Sequence, residues 1–329
     1  MTKLIAVGAS AGGVQALQSL TRGLPADLAA AVLVVMHIGE RMSQLPAVLA
    51  KASVLPVAHG VDGDPLLPGR IYVAPPDHHM LANGSELRLT RGPREHHTRP
   101  AIDPTFRSVA LAAGPDAIGV ILTGMLDDGT AGLQVIKRCA GMAVVQSPDD
   151  AVYPDMPSSA LRHVEVDHCV PLAQMGALLA RLASSESEAH VTTPLPPDIA
   201  REQSLFLGSG NPLDNLQAIA RPSTFTCPDC HGALWEVTNS KPTRFICHTG
   251  HAYSIRTLHQ ATAESADEAI WNALRATQEA ALLLRYRAER AAEESDVRNS
   301  ARWREAADEL QQSTALLRSI VEKEPTAEP

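Results

Sequence analysis

The sequence predicts an α/β protein: a doubly wound, mostly parallel sheet with helices on both faces and an antiparallel hairpin, followed by a small cysteine-bearing module and a helical hairpin. Three observations carry this expectation. Short apolar runs rich in β-formers alternate with amphipathic stretches from residue 1 to about 184, which implies right-handed crossovers and a parallel sheet. Three of the five cysteines then fall close together, between Cys227 and Cys247. Finally, the stretches from Glu264 to about Glu294 and from Val297 to about Lys323 are rich in Ala, Glu, Arg and Leu and contain no Gly or Pro.

The elements follow in order. Leu4 to Val7 reads as a first strand, with a helical segment from about Gly12 to Leu20. Ala31 to Met36 is a second strand, followed by a helix over Leu45 to Ala52. Asn83-Gly84, between His79-Met80-Leu81 and Leu87-Arg88-Leu89, is a two-residue hairpin signal and predicts an antiparallel excursion. Ala117 to Leu122 resumes the strands, Ala131 to Arg138 is helical, and Met142 to Val145 is a further strand. Residues 185–222 turn to Ser, Glu, Thr and Pro, a composition that does not build a core and predicts a flexible linker. The expected domains are therefore 1–184, a cysteine module over 223–256, a helical hairpin over 257–323 and a short tail over 324–329. In the hairpin Trp303, Leu310 and Leu317 recur every seven residues, interleaved with Ala307, Thr314 and Val321, so one face is apolar.

Composition excludes several classes. The formal net charge of −9, with no clustered basic face, argues against nucleic acid as a partner. The longest apolar run, roughly Leu28 to Met36, falls well short of the ~20 residues that span a bilayer, so no membrane insertion is expected. Gly8 interrupts the N-terminal apolar run too early for a signal peptide, and the expected location is cytoplasmic.

The candidate chemistry begins at Gly8-Ala9-Ser10-Ala11-Gly12, which fits G-x-S-x-G where a strand gives way to a helix. Such a turn lifts a serine clear of the sheet beside the free N–H groups of a helix N-terminus. The same turn could also cradle a phosphate, although the second glycine of the dinucleotide fingerprint is missing. His37 closes the second strand, and Asp127 and Asp128 follow the strand that runs to Leu122. Singly, the histidine reads as a polar residue leaving the core and the aspartates as helix caps. Together, Ser, His and Asp at three strand ends form the set that activates a weak nucleophile. Their chain order differs from the Ser, Asp, His order of ordinary α/β-hydrolases.

At this point the sequence resembles the chemotaxis protein-glutamate methylesterases, the CheB-type catalytic domains. The resemblance rests on Gly8-Ala9-Ser10-Ala11-Gly12-Gly13, His37, Ile71-Tyr72-Val73-Ala74-Pro75-Pro76-Asp77-His78-His79 and Arg99-Pro100-Ala101-Ile102-Asp103. It continues through Ile121-Leu122-Thr123-Gly124-Met125, Asp128-Gly129 and Met156-Pro157. It implies a protein-glutamate methylesterase, a carboxylic ester hydrolase with Ser10 as nucleophile, His37 as general base and then acid, and Asp128 rather than Asp127 orienting the imidazole. It further implies that the Met125 backbone N–H helps bind the oxyanion, and some members of the family it resembles also deamidate receptor glutamines. The implied partners are a methylated receptor or receptor-like protein and, in the same pathway, a methyltransferase or other two-component proteins. No cofactor is expected for catalysis. The family's chemotaxis members carry an N-terminal receiver domain, whereas the resemblance here begins at residue 1, so a catalytic domain lacking the receiver is expected.

The cysteine module has its own signature. Cys227-Pro228-Asp229-Cys230 and Cys247-His248-Thr249-Gly250-His251 form C-x2-C and C-x3-H with sixteen residues between them, a zinc-ribbon-like pattern. Cys227, Cys230, Cys247 and His251 are the expected ligands of a structural zinc ion, with His248 the alternative fourth ligand. Two histidine pairs, His78-His79 and His96-His97, could suggest a second metal site but read more simply as loop polarity, with a place near the substrate groove left open for His79. Two other functions stay open at this stage: a non-catalytic signalling scaffold built on the zinc module and helical hairpin, and a nucleotide-binding protein, which would need an acid where His37 stands.

Overall fold

The computed structural model describes residues 2–37, 43–185 and 196–322. The described residues up to Leu258 form one compact unit and those from His259 onward a second.

The first unit begins with β1 (Lys3–Ala9), α1 (Gly13–Arg22), β2 (Ala30–Met36), α2 (Leu45–Ala50), β3 (Val57–His59) and β4 (Arg70–Val73). The hairpin β5 (His79–Asn83) and β6 (Glu86–Thr90) turns at Asn83-Gly84, as the dipeptide predicts. Then come α3 (Ile102–Ala113), β7 (Ala117–Ile121), α4 (Thr130–Arg138), β8 (Met142–Gln146), α5 (Asp155–His163), β9 (His168–Val170) and α6 (Leu172–Ser184).

Seven strands form one sheet in the order β3-β4-β2-β1-β7-β8-β9, and every neighbouring pair is parallel. The period-two geometry of a strand divides each central run between two cores. On one face lie Leu4, Ala6, Ala31, Leu33 and Val35, under α3 and α4 residues such as Phe106 and Leu133. Ile5, Val7, Val32 and Val34 face the other way, onto Leu17, Leu20 and Leu179. The chain leaves β1 towards β2 and later returns to its opposite side as β7, so β1 is the switch point, where open α/β sheets form a crevice beyond the carboxyl ends. The register Ala9↔Met36 places Ser10 and His37 side by side on that rim.

The linker expectation is corrected over its described part. Residues 196–222 carry α7 (Pro197–Phe206), α8 (Pro212–Ile219) and the start of β10 (Ala220–Thr226). Ile199, Leu205, Phe206, Leu216 and Ile219 are buried there, too widely spaced among polar residues to register as a compositional signal. Residues 186–195 of the expected linker and the expected tail, 324–329, lie outside the described residues. With β11 (Ala233–Val237), β12 (Arg244–Cys247) and β13 (Ala252–Ser254), β10 forms a four-stranded antiparallel sheet. Its inner face packs Ile246 and Ala252 against Leu205, Leu216 and Ile219. A buried ion-pair network joins these pieces: Glu202 of α7 lies 2.8 Å from Arg107 of α3 and 2.6 Å from Arg244 of β12, and Arg107 also meets Glu95 at 2.5 Å.

The helical hairpin is α9 (Ile255–Glu293) and α10 (Val297–Val321). Its apolar seam packs on its own second helix, with Ala288 and Ala307 fully buried, the Thr314 hydroxyl 3.1 Å from that of Thr277, and the Arg287 guanidinium 3.5 Å from the Trp303 ring centre. Among the described residues no helix is long and apolar enough to cross a membrane.

Candidate active site

Beyond β1 the chain turns sharply. The Ser10 amide donates to the Thr123 carbonyl at 3.0 Å, and the Gly13 amide donates back to the Ser10 carbonyl at 2.8 Å. Gly12 adopts the left-handed conformation, φ 74°, that starts α1 at once, and glycine has no Cβ to oppose it. Gly124 is glycine for a different reason, since a Cβ there would stand 2.1 Å from the Met156 sulfur and 2.9 Å from the Ser10 Cβ. The nucleophile turn thus fits tightly against the loop that follows β7.

Ser10 Oγ lies 3.0 Å from His37 Nδ1, and His37 Nε2 lies 2.7 Å from Asp128 Oδ2. A carboxylate only accepts, so Nε2 carries the imidazole proton, and the Nδ1 lone pair is left to accept from the Ser10 hydroxyl. Asp128 is itself held by two amides of the α3 N-terminus, Ile102 N to Oδ2 at 2.7 Å and Asp103 N to Oδ1 at 3.1 Å. Burial alone would raise its pKa, but the His96 charge, the His37 hydrogen bond and the Ile102 amide hold it well below the ordinary carboxylate range. It is therefore charged throughout the working pH range. Asp127 faces elsewhere and accepts from the Ser254 hydroxyl at 2.7 Å.

The loop after β7 is tied down around Met125. The Gly124 amide donates to Tyr153 O at 2.9 Å, and the Leu126 amide donates to Asp155 Oδ2 at 3.3 Å. Between them the Met125 amide donates to no protein acceptor among the described residues, and neither does that of Ala11, the residue after Ser10. Exposed Met125, Val152 and Tyr153 give apolar surface to these two loops.

The loop-polarity expectation for the histidine pairs is corrected at His79 and His96, both buried. His79 Nε2 donates to Pro93 O at 3.0 Å and its Nδ1 accepts from the Ala101 amide, while burial pushes its pKa down to about 3, so it is neutral. His96 Nε2 lies 2.8 Å from Asp103 Oδ2 and 3.5 Å from Asp128 Oδ1. Burial disfavours its charge, but Asp128, Asp103 and Asp127 outweigh that and raise its pKa to about 9. A buried imidazolium therefore stands directly behind the triad carboxylate. The sequence carries little trace of it, because doubled histidines among Pro, Arg and Thr look like surface.

The second cluster is the Cys227, Cys230, Cys247 and His251 set, whose ligand atoms all lie within 4.8 Å of one another. Cys230 and Cys247 sulfurs are 3.6 Å apart, and His251 Nδ1 is 3.7 Å from Cys227 Sγ and 3.5 Å from Cys247 Sγ. A tetrahedral ion with bonds of about 2.3 Å to sulfur and about 2.0 Å to nitrogen requires separations of about 3.8 Å between sulfurs and about 3.5 Å between sulfur and nitrogen, so the donor set fits zinc. The thiols are not paired as disulfides. His248 is exposed and lies outside the cluster.

A parallel α/β sheet with a serine, a histidine and a buried carboxylate in hydrogen-bonded sequence at its switch point has the arrangement that serine hydrolases use to activate a nucleophile. Within that class the chain belongs to the CheB methylesterase family, whose profile matches residues 5–179. A protein-glutamate methylesterase/protein-glutamine glutaminase of Photorhabdus laumondii is 37% identical over 191 residues, which is 56% of this chain and 54% of that protein. One from Geobacter metallireducens is 36% identical over 184 residues, 55% of this chain and 53% of that protein. The CheB methylesterase catalytic domain of Thermotoga maritima, a solved structure, aligns with a TM-score of 0.53 at 29% identity, covering 55% of this chain and 99% of that one. The chain spans about half the length of the curated relatives it matches.

Proposed function

We propose that this chain is a protein-glutamate methylesterase that hydrolyses the methyl esters of glutamate side chains on chemoreceptor-like proteins in a chemosensory or two-component pathway. The observation that carries the proposal is the unbroken hydrogen-bonded series Ser10, His37, Asp128 at the switch point, in a chain of the CheB methylesterase family.

In the proposed mechanism His37 Nδ1 takes the Ser10 proton as Oγ attacks the ester carbonyl, and charged Asp128 stabilises the imidazolium that forms. The Met125 amide, together with that of Ala11, binds the oxyanion, each donor being worth about 3 kcal/mol. His37 then protonates the departing methoxide oxygen, releasing methanol and leaving a glutamyl ester on Ser10. Water, deprotonated by His37, hydrolyses that ester and restores the hydroxyl. An amide in place of the ester would release ammonia by the same steps, and the relatives' name includes glutamine glutaminase. These proton transfers need only the three side chains. The substrate implies a methyltransferase acting upstream, and a cytoplasmic location agrees with it.

Cys227, Cys230, Cys247 and His251 would hold a structural zinc ion. Four protein ligands leave no open position on the metal, so its part is to fix the fold of the 223–256 module. The 257–323 hairpin is assigned as a separate helical element.

The test is methanol release from methylated receptor cytoplasmic fragments by the wild type and by Ser10→Ala. Release by the wild type alone is expected. No release by the folded wild type would overturn the methyl ester assignment, and release by Ser10→Ala would overturn the nucleophile.

A further inference from the structure

Two hydroxyls from residues C-terminal to the catalytic sheet reach the groups that flank Asp128. Ser254, the last residue of β13, caps α9 reciprocally with Thr257: the Thr257 amide donates to Ser254 Oγ at 3.1 Å and the Ser254 amide donates to Thr257 Oγ1 at 2.9 Å. Neither hydroxyl stops at the cap. Ser254 Oγ donates to Asp127 Oδ1 at 2.7 Å, and Thr257 Oγ1 lies 3.1 Å from His96 Nδ1. Both are almost fully buried, at 1% and 3% exposure. The segment they meet is fixed to the same module, because the His96 amide donates to Ala252 O at 2.7 Å and Glu95 bridges to Ala252 in parallel.

The chemistry at His96 fixes the direction of each bond. An imidazolium has two N–H groups and needs two acceptors. The Asp103 carboxylate on α3 receives Nε2–H at 2.8 Å, while Asp128 after β7, 3.5 Å away, and Asp127 add negative charge nearby. Thr257 Oγ1 is the acceptor for Nδ1–H. Removing that oxygen leaves a buried donor without a partner and favours the neutral ring, which withdraws a positive charge 3.5 Å from Asp128 Oδ1.

We infer that Ser254 and Thr257 are positioning residues of the catalytic centre, holding Asp127 and His96 so that the Asp128 carboxylate stays aligned on His37. The inference rests on the Ser10, His37, Asp128 reading above. It makes the end of the cysteine module and the first turn of α9 a working part of the hydrolase, not an appended recruitment domain.

The experiment compares full-length wild type with Thr257→Val, Thr257→Ser and Ser254→Ala. Thr257→Val keeps the shape, and its kcat for methanol release is expected to fall about tenfold with KM within about twofold. The alkaline limit of its kcat profile is expected to move towards neutral pH by about one unit, because neutral His96 no longer supports Asp128. Thr257→Ser restores both, and Ser254→Ala lowers kcat while leaving KM unchanged. A lower melting temperature with unaltered kcat and pH profile in both Thr257→Val and Ser254→Ala would reduce the contacts to domain docking and overturn the inference. Nitrogen-resolved NMR of the imidazoles provides an arm independent of turnover. A protected His96 imidazolium is expected in the wild type and lost in Thr257→Val, and its absence from the wild type overturns the inference even where the esterase reading stands. A wild type that shows this signal but hydrolyses no ester would refute the esterase reading instead, and with it the positioning role, while leaving the contact itself intact.

Discussion

Asp128→Asn isolates the carboxylate that the fold invests most in holding. In the native site both oxygens accept from backbone amides, Oδ2 from Ile102 and Oδ1 from Asp103, and Oδ2 also accepts from His37 Nε2. An asparagine must turn its NH2 to one of these two positions. If the NH2 takes the Oδ2 position, it faces the Ile102 amide and His37, so His37 must carry its proton on Nδ1 and can no longer accept from Ser10. The alternative orientation keeps the His37 contact but sets the NH2 against the Asp103 amide and His96, which buries opposed donors at a cost of about 1–3 kcal/mol. The wrong tautomer of a triad histidine lowers kcat by about 10⁴, equivalent to about 5 kcal/mol of barrier. The expected outcome is therefore a loss of 10³- to 10⁴-fold in kcat, with KM changed by about twofold or less and a melting temperature lower by several degrees. Methanol release at saturating substrate and scanning calorimetry on the same preparation measure the two effects. A folded Asp128→Asn variant within about tenfold of the wild type would refute the role given to this carboxylate, since orientation of His37 would then come from elsewhere.

The remaining predictions use other parts of the structure. Gly124→Ala places a Cβ 2.1 Å from the Met156 sulfur and 2.9 Å from the Ser10 Cβ, so kcat should fall by about tenfold or more at a stability cost of about 1–3 kcal/mol, and unchanged kcat would show that the Met156 side chain yields and leaves Ser10 in place. Glu202 is held at a pKa of about 2 because Arg244 and Arg107 outweigh its burial, so its stabilising contribution is full above its ordinary 4.5 and lost as the pH falls through about 2. Glu202→Ala should cost about 3–5 kcal/mol at neutral pH and flatten the acid side of the melting-temperature profile; an unchanged profile would count against the network. His96 works in the opposite direction, its contribution being full below 6.5 and lost as the pH rises through about 9. His96→Gln should flatten the alkaline side in calorimetric titration, and a slope equal to the wild type's would show that the ring is not charged. Cys227→Ser should take zinc, measured by elemental analysis, from about one ion per chain to well below one and unfold the β10–β13 sheet selectively; unchanged stoichiometry would remove the zinc assignment.

What was legible in the sequence depended on whether each signal was local. The strands at Leu4 to Val7 and Ala31 to Met36 are continuous apolar runs because both faces of a parallel strand are covered, and their ends point directly to Ser10 and His37. The hairpin at Asn83-Gly84 and the cysteine spacing are legible for the same reason, since each is decided within a few residues. His96 is the opposite case. Its charge depends on Asp103 seven positions away, Asp128 thirty-two positions away and Thr257 far beyond both, and nothing in Glu95-His96-His97-Thr98 marks its burial. The segment 196–222 failed by another route, because composition counts polar residues while packing depends on where the few apolar ones fall. Ile199, Leu205 and Phe206 occupy one side of α7, with Glu202 between them turned towards Arg107 and Arg244, so a stretch too polar to build a core alone completes one supplied by its neighbours. The same dependence explains why the module after residue 222 reads as an appendage in sequence yet contributes hydroxyls to the rear of the triad in three dimensions: Ser254 and Thr257 are unremarkable as letters and acquire a role only from the acids and imidazolium they meet.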